Sequence, residues 1–157
     1  MTETTFDEVD QRILGILQID SNIPIAEIAQ QVALSPTPVW RRIKRMEAAG
    51  LIRARVALVD QKLVNVPMTI FIGVTAPRHA MEWFKRFQAL IEDIPEVVEA
   101  YRLTGATDYI MKVVVPDIDA YDVVYQRMIN EVEFTTVNSS ISMEELKFTT
   151  AVPTKYL

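Results

Sequence analysis

Residues 26–50, AEIAQQVALSPTPVWRRIKRMEAAG, constrain the fold more than any other stretch of this chain. A short apolar-periodic run ends at Ala33-Leu34-Ser35, and a longer one starts at once. Ser35 is placed to act as an N-cap, its hydroxyl accepting from N–H groups of the first turn. Pro36 falls at the first helical position and Pro38 in the same turn, where a missing N–H has no intrahelical acceptor to lose. Gly50 suits the left-handed residue that closes a helix. Val39, Ile43 and Met46 recur with helical period and should face inward. Thr37, Arg41, Lys44 and Arg45 point away from that stripe, with Trp40 and Arg42 on its flanks. Trp40 is expected to pack against the first helix of the chain. Two helices joined by such a turn are the sequence form of a helix-turn-helix, whose second helix lies in a DNA major groove.

The two prolines change how that helix can meet DNA. A bare helix N-terminus holds phosphate through free N–H groups, and here two of them are gone. The hydroxyls of Ser35 and Thr37 and the guanidinium of Arg41 would take more of the contact. Arg41 is expected to read bases, because arginine bonds guanine O6 and N7 bidentately. Arg42, Lys44, Arg45, Arg53 and Arg55 complete the expected DNA-binding set, chiefly as phosphate contacts that position without specifying.

The net charge of −5 becomes compatible with DNA only when divided by region. Residues 1–64 hold eight Lys/Arg and eight Asp/Glu, whereas residues 65–157 hold eight and thirteen. Within 35–60 six cations stand against Glu47 and Asp60. A local basic patch can bind DNA from an acidic protein, with salt-sensitive affinity.

Upstream, Phe6, Val9, Ile13, Ile16 and Leu17 mark an amphipathic first helix with Asp7 as N-cap and Phe6 as a staple. Ser21-Asn22-Ile23-Pro24 breaks the chain, and 25–32 forms the short second helix. Leu51 to Val59 reads as a strand pair or wing carrying Arg53 and Arg55. The division expected is a winged helix-turn-helix over 1–58, a linker over 59–67, and a second domain over 68–157.

That second domain has another rhythm. Strands are expected at 68–75, 97–104, 109–115 and 137–143, helices at 77–93 and 119–132, and an edge strand at 146–151. The order β-α-β-β-α-β is a ferredoxin-like unit, so the fold class is α+β. One sheet face lies under the two helices. The other needs cover, and a second copy supplies it most simply, giving a dimeric α+β barrel.

Other features narrow the function. Cysteine is absent, excluding disulfides and thiolate metal sites and fitting a reducing cytoplasm. The acidic N-terminus lacks a signal-peptide core, and no apolar run is long enough to span a bilayer. His79 is the only histidine, expected at a surface or helix N-terminus, so no histidine-based catalytic or metal cluster can form. Asp117, Asp119 and Asp122 read as charges complementing a helix N-terminus, not as a metal site. Neither a metal nor a cofactor is expected, and the chain is not read as an enzyme.

The chain resembles the Lrp/AsnC (leucine-responsive/asparagine-responsive, feast/famine) transcriptional regulators. The resemblance rests on Asp7-x-x-Asp10-x-x-Ile13-Leu14, on Leu34 through Ile43, on Leu51-Ile52 after Gly50, and on Thr104-Gly105-Ala106-Thr107-Asp108-Tyr109. It implies a bacterial or archaeal, nucleoid-associated protein that binds double-stranded DNA. It implies dimers joined through the second domain, commonly assembled into octamers, and a small effector, usually an amino acid, bound between dimers. Carried to this chain, the effector-binding residues are Tyr101, Thr104, Gly105, Ala106, Thr107 and Asp108. Gly105 would let backbone approach a ligand, and Asp108 would either pair with an ammonium group or orient the loop internally. Ala106 stands where many relatives carry a polar or acidic residue, leaving open weaker binding, a less polar ligand or no effector. The alternative to an effector-modulated regulator is an effector-independent architectural DNA-binding protein.

Overall fold

In a computed structural model, described for residues 5–77 and 81–157, the chain forms five helices and four strands among the described residues. It divides into two compact units, residues 1–57 with 147–157, and residues 58–146. The expected second domain ran to Leu157; the last eleven residues instead group with the first unit.

The first unit contains α1 (Glu8–Ile19), α2 (Ile25–Gln31) and α3 (Pro36–Ala48). Their apolar stripes meet in one cluster of Ile13, Leu14, Ile28, Ala29, Val32, Val39, Ile43 and Met46. Phe6, Val9 and Leu51 pack against its edge. The turn between α2 and α3 is set by backbone hydrogen bonds. Ala33 takes a left-handed φ of 56°, the Leu34 N–H donates to the Ala29 carbonyl, and the Ala33 N–H donates to the Gln30 carbonyl. That reciprocal pattern ends a helix and satisfies its last carbonyls. It recurs after α3, where Gly50 has φ 74° and the Leu51 and Gly50 N–H groups donate to Met46 and Glu47.

One expectation here fails. Residues 53–60 form no strand, so the wing is absent as a ladder within the chain. The segment is exposed and, among the described residues, has no paired strand to supply hydrogen bonds.

The tail beyond residue 146 is also not a strand. The side-chain amide of Gln18 on α1 instead holds it at both ends of one peptide position. Gln18 Nε2 donates to the Val152 carbonyl at 3.1 Å, and the Val152 N–H donates back to Gln18 Oε1 at 2.7 Å.

The second unit contains β1 (Met68–Thr75), α4 (Met81–Asp93), β2 (Val97–Arg102), β3 (Tyr109–Val115), α5 (Ile118–Glu131) and β4 (Thr136–Ile141). The sheet is antiparallel throughout, in the order β2-β3-β1-β4. Alternation along β1 and β3 sends Ile70, Ile72, Val74, Tyr109, Met111, Val113 and Val115 into the core with Phe87, Leu90, Tyr121, Val124 and Met128 of the helices. Trp83 closes one end, stacked 5.0 Å from Phe87 and edge-on to Phe134 at 5.9 Å. Its indole N–H donates to the Glu133 carbonyl at 2.6 Å, giving a mostly apolar ring the polar partner it needs.

Among the described residues of this unit, no helix covers the opposite sheet face. Phe71, 40% exposed, lies there in register with Lys112, which reaches the Glu99 carboxylate at 3.5 Å. No helix among the described residues is long and apolar enough to cross a membrane. His79 lies outside the described residues, as do 78 and 80 of the helix expected over 77–93; Pro77, its expected first residue, is a bend.

Candidate nucleic-acid interface and effector loop

α3 presents two faces of opposite character. Val39 and Met46 are fully buried and Ile43 nearly so, which anchors the helix to α1 and α2. Ser35, Thr37, Arg41, Lys44 and Arg45 are exposed on the other side. Ser35 sits at the N-cap but makes no side-chain capping bond. An N-cap oxygen bonds the second or third helical N–H; Pro38 removes the third, and the second, on Thr37, is not used. The Ser35 hydroxyl is thus left to other partners. Trp40 is 48% exposed and outside the packed cluster, unlike the expected packing against α1.

The six cations of 35–60 fall into three situations. Arg41 and Arg53 are exposed and, among the described residues, have no ion pair. Lys44 and Arg55 share Glu47, at 2.7 and 3.2 Å, and Arg55 also donates to the Ser21 carbonyl at 3.1 Å. The Lys44 ammonium, with Arg55 behind it, lowers the Glu47 carboxyl below its ordinary value. These are surface pairs, weak and easily exchanged.

Arg42 and Arg45 differ. Asp7 and Asp10 cap α1 reciprocally, each carboxylate accepting the other's backbone N–H at 3.0 Å. Arg42 bonds Asp7 at 2.8 Å and Asp10 at 2.9 Å. Arg45 bonds Asp10 at 2.5 Å and lies over the Phe6 ring, 5.3 Å from its centroid. Asp10 is fully buried. The Asp10 N–H, followed by Arg42, holds the Asp7 carboxyl below its ordinary value. The sequence motif Asp7-x-x-Asp10 gave no sign of partners 32 and 35 residues away.

In the second unit, the loop after β2 is tied to β1. The Asp108 N–H donates to the Val74 carbonyl at 3.0 Å, and the Leu103 N–H donates to the Asp108 carbonyl at 2.7 Å. Asp108 Oδ2 accepts the Ala76 N–H at 2.8 Å, and the Thr75 hydroxyl donates to the Ala106 carbonyl at 3.3 Å. Asp108 therefore has an internal orienting task. Gly105 has φ 119° with open space around it, so its glycine is needed for conformation. Gly73 was not singled out by sequence, yet a Cβ there would lie 3.1 Å from the Thr107 methyl. Thr104, Gly105 and Ala106 are exposed, whereas Thr107 and Asp108 are half-buried. Tyr101 is exposed on β2 and donates to Glu99 at 2.8 Å, and that carboxylate raises the Tyr101 hydroxyl above its ordinary value.

Asp117 caps α5, accepting the Ala120 N–H at 2.8 Å. Among the described residues no group of three acidic, histidine or cysteine side chains is arranged to hold a metal ion.

Comparison with known proteins matches both units. Residues 6–47 match the AsnC-type helix-turn-helix domain and residues 69–152 the Lrp/AsnC ligand binding domain. The HTH-type transcriptional regulator Zrp of Zymomonas mobilis is 41% identical over 96% of this chain and 99% of its own length. The crystal structure of an AsnC family transcriptional regulator from Agrobacterium tumefaciens superposes with a TM-score of 0.93 at 48% identity, covering 97% of this chain and 99% of that one. A transcriptional regulator from Neisseria meningitidis, solved as a complex with L-Met, superposes with a TM-score of 0.91 at 33% identity over the same shares.

Proposed function

Given that the chain belongs to the Lrp/AsnC family of transcriptional regulators, we propose that it binds duplex DNA through α3 and that an amino acid, sensed by the second unit, modulates its assembly or DNA affinity. Arg41 reads bases, helped by the Ser35 and Thr37 hydroxyls. Lys44, Arg53 and Arg55 contact phosphates, while Arg42 and Arg45 beside them on α3 are paired with Asp7 and Asp10. The observation that carries the reading is the division of α3 into a buried anchoring stripe and an exposed face bearing Thr37, Arg41 and Lys44.

The effector site comprises Tyr101, Thr104, Gly105, Ala106, Thr107 and Asp108. Support comes from the L-Met held by the Neisseria relative and from a loop whose backbone is pinned while its outer residues stay exposed. Ala106 offers no charge, which suits an effector with an apolar side chain. Two copies pair across the sheet faces that carry Phe71, and dimers assemble further, up to octamers. Assembly then decides how many DNA-binding units engage together, which sets avidity. The setting is the cytoplasm of a bacterial or archaeal cell, at the nucleoid.

Thermal melting of the full chain with each of the twenty amino acids tests the effector reading. A ligand that binds only the folded state stabilises it by mass action, by about 2.7 kcal/mol at a hundred times its Kd, and so raises the melting temperature. A rise with one or a few apolar amino acids is expected. No rise with any of them would overturn the amino-acid assignment.

A further inference from the structure

The buried carboxylate of Asp10 sits on the inner side of the helix expected to meet DNA, and both of its oxygens are occupied. Oδ1 accepts from Arg42, and Oδ2 accepts from Arg45 and from the Asp7 N–H. Asp7 adds a second carboxylate on Arg42. Two guanidiniums thus meet two carboxylates, a locally neutral cluster that joins the first turn of α1 to the flank of α3. Guanidinium groups bond carboxylate and phosphate with the same fork. Within this cluster Arg42 spends Nη1 on both carboxylates, and Arg45 spends Nη2 on Asp10.

Resting on the DNA-binding reading above, we propose that Asp10, with Asp7, acts as an internal stand-in for phosphate, so that Arg42 and Arg45 are positioning residues that orient α3 and make no contact with DNA. The contrast with Lys44 and Arg55 supports this. Their shared partner Glu47 is 29% exposed, so water replaces the pair when either cation turns to a phosphate. Asp10 is fully buried, so withdrawing its arginines would strand a charge away from water. Arg45 is further held by Phe6, through a cation–ring contact in the same cluster. The DNA-contacting cations of each first unit reduce to Arg41, which reads bases, and Lys44, Arg53 and Arg55, which contact phosphates.

The salt dependence of binding to a random-sequence duplex separates the two roles. Each phosphate contact adds about 0.9 to the slope of log affinity against log salt, or about a 3.5-fold steeper loss between roughly 50 and 200 mM. Arg45→Gln is expected to leave the slope unchanged, since Arg42 and the Asp7 N–H still hold Asp10. Asp10→Asn is expected to steepen the slope, by up to about 0.9 for each arginine released. The same variant should discriminate less well among sequences in a randomised duplex pool, because α3 is no longer held in one orientation. A shallower slope in Arg45→Gln, by about one contact, would overturn the proposal. Should Asp10→Asn fail to fold, Arg45→Gln and Arg42→Gln decide the matter by the same slope. No duplex binding by the unaltered chain would overturn the DNA-binding reading itself, and the proposal with it.

Discussion

Replacing Asp108 by alanine removes the acceptor of the Ala76 N–H, a 2.8 Å bond from a backbone group that is largely buried. Hydrogen bonds to a charged acceptor contribute about 1.5–3 kcal/mol, and an unsatisfied buried N–H costs about 1–3 kcal/mol. Asp108 is half-buried, so the low end applies, and a loss of about 1.5–2 kcal/mol is expected. Asp108→Asn keeps an oxygen acceptor and should lose less than about 1 kcal/mol. The chain has two tryptophans, and Trp40→Phe leaves Trp83, inside the aromatic cluster of the second unit, as the only one. Urea unfolding followed by Trp83 fluorescence at fixed protein concentration reads that unit separately. With an m-value of about 1.5 kcal/mol/M, the alanine variant should unfold about 1 M earlier with m unchanged. If its midpoint instead matches that of the unaltered chain, the bond from the Ala76 N–H does not stabilise the loop and the reasoning is refuted.

Three further outcomes are expected. The Asp7 and Glu47 carboxyls are both held below their ordinary values near 3.8 and 4.5, so their contribution is full above those values and lost as pH falls below them. Acid unfolding of the first unit should accordingly flatten in Asp7→Asn, and an unchanged acid limb would contradict the assignment. Gly73→Ala should push on the Thr107 methyl 3.1 Å away and destabilise the second unit by roughly 1 kcal/mol. Thr107→Ser, which removes that methyl, should restore the loss in a double-mutant cycle, whereas additive effects would show that the two residues do not press on each other. Gln18→Ala should speed amide exchange at Val152, whose N–H donates to the Gln18 side chain; unaltered exchange would mean that this amide is protected by something else.

Local signals were legible in the residues and long-range ones were not. The helix-turn-helix could be read because its parts sit within 25 residues: the apolar stripe, two prolines in one turn, and Gly50 with its φ of 74°. Strands β1 and β3 were read with the bounds they have, because alternation and β-branched residues mark half-buried strands. The wing and the final edge strand were misread, since 51–59 and 146–151 have the composition of strands but, among the described residues, no partner in register. Trp83 escaped notice because, beyond Phe87 one turn away, its ring partner Phe134 and its indole acceptor Glu133 lie 51 and 50 positions off. The destination of Arg42 and Arg45 was hidden in the same way. A run of four cations in five residues looks uniform in sequence, and only Asp10, 32 and 35 positions away, divides it into two kinds.

Selection of bound duplexes from a randomised pool, followed by competition of the winner against random DNA, tests the central claim most directly. A specific regulator should prefer its selected sequence by at least about a thousandfold at physiological salt, with the preference falling sharply in Arg41→Ala. A ratio near unity would contradict sequence-specific recognition by α3 and leave a protein that holds DNA by charge alone.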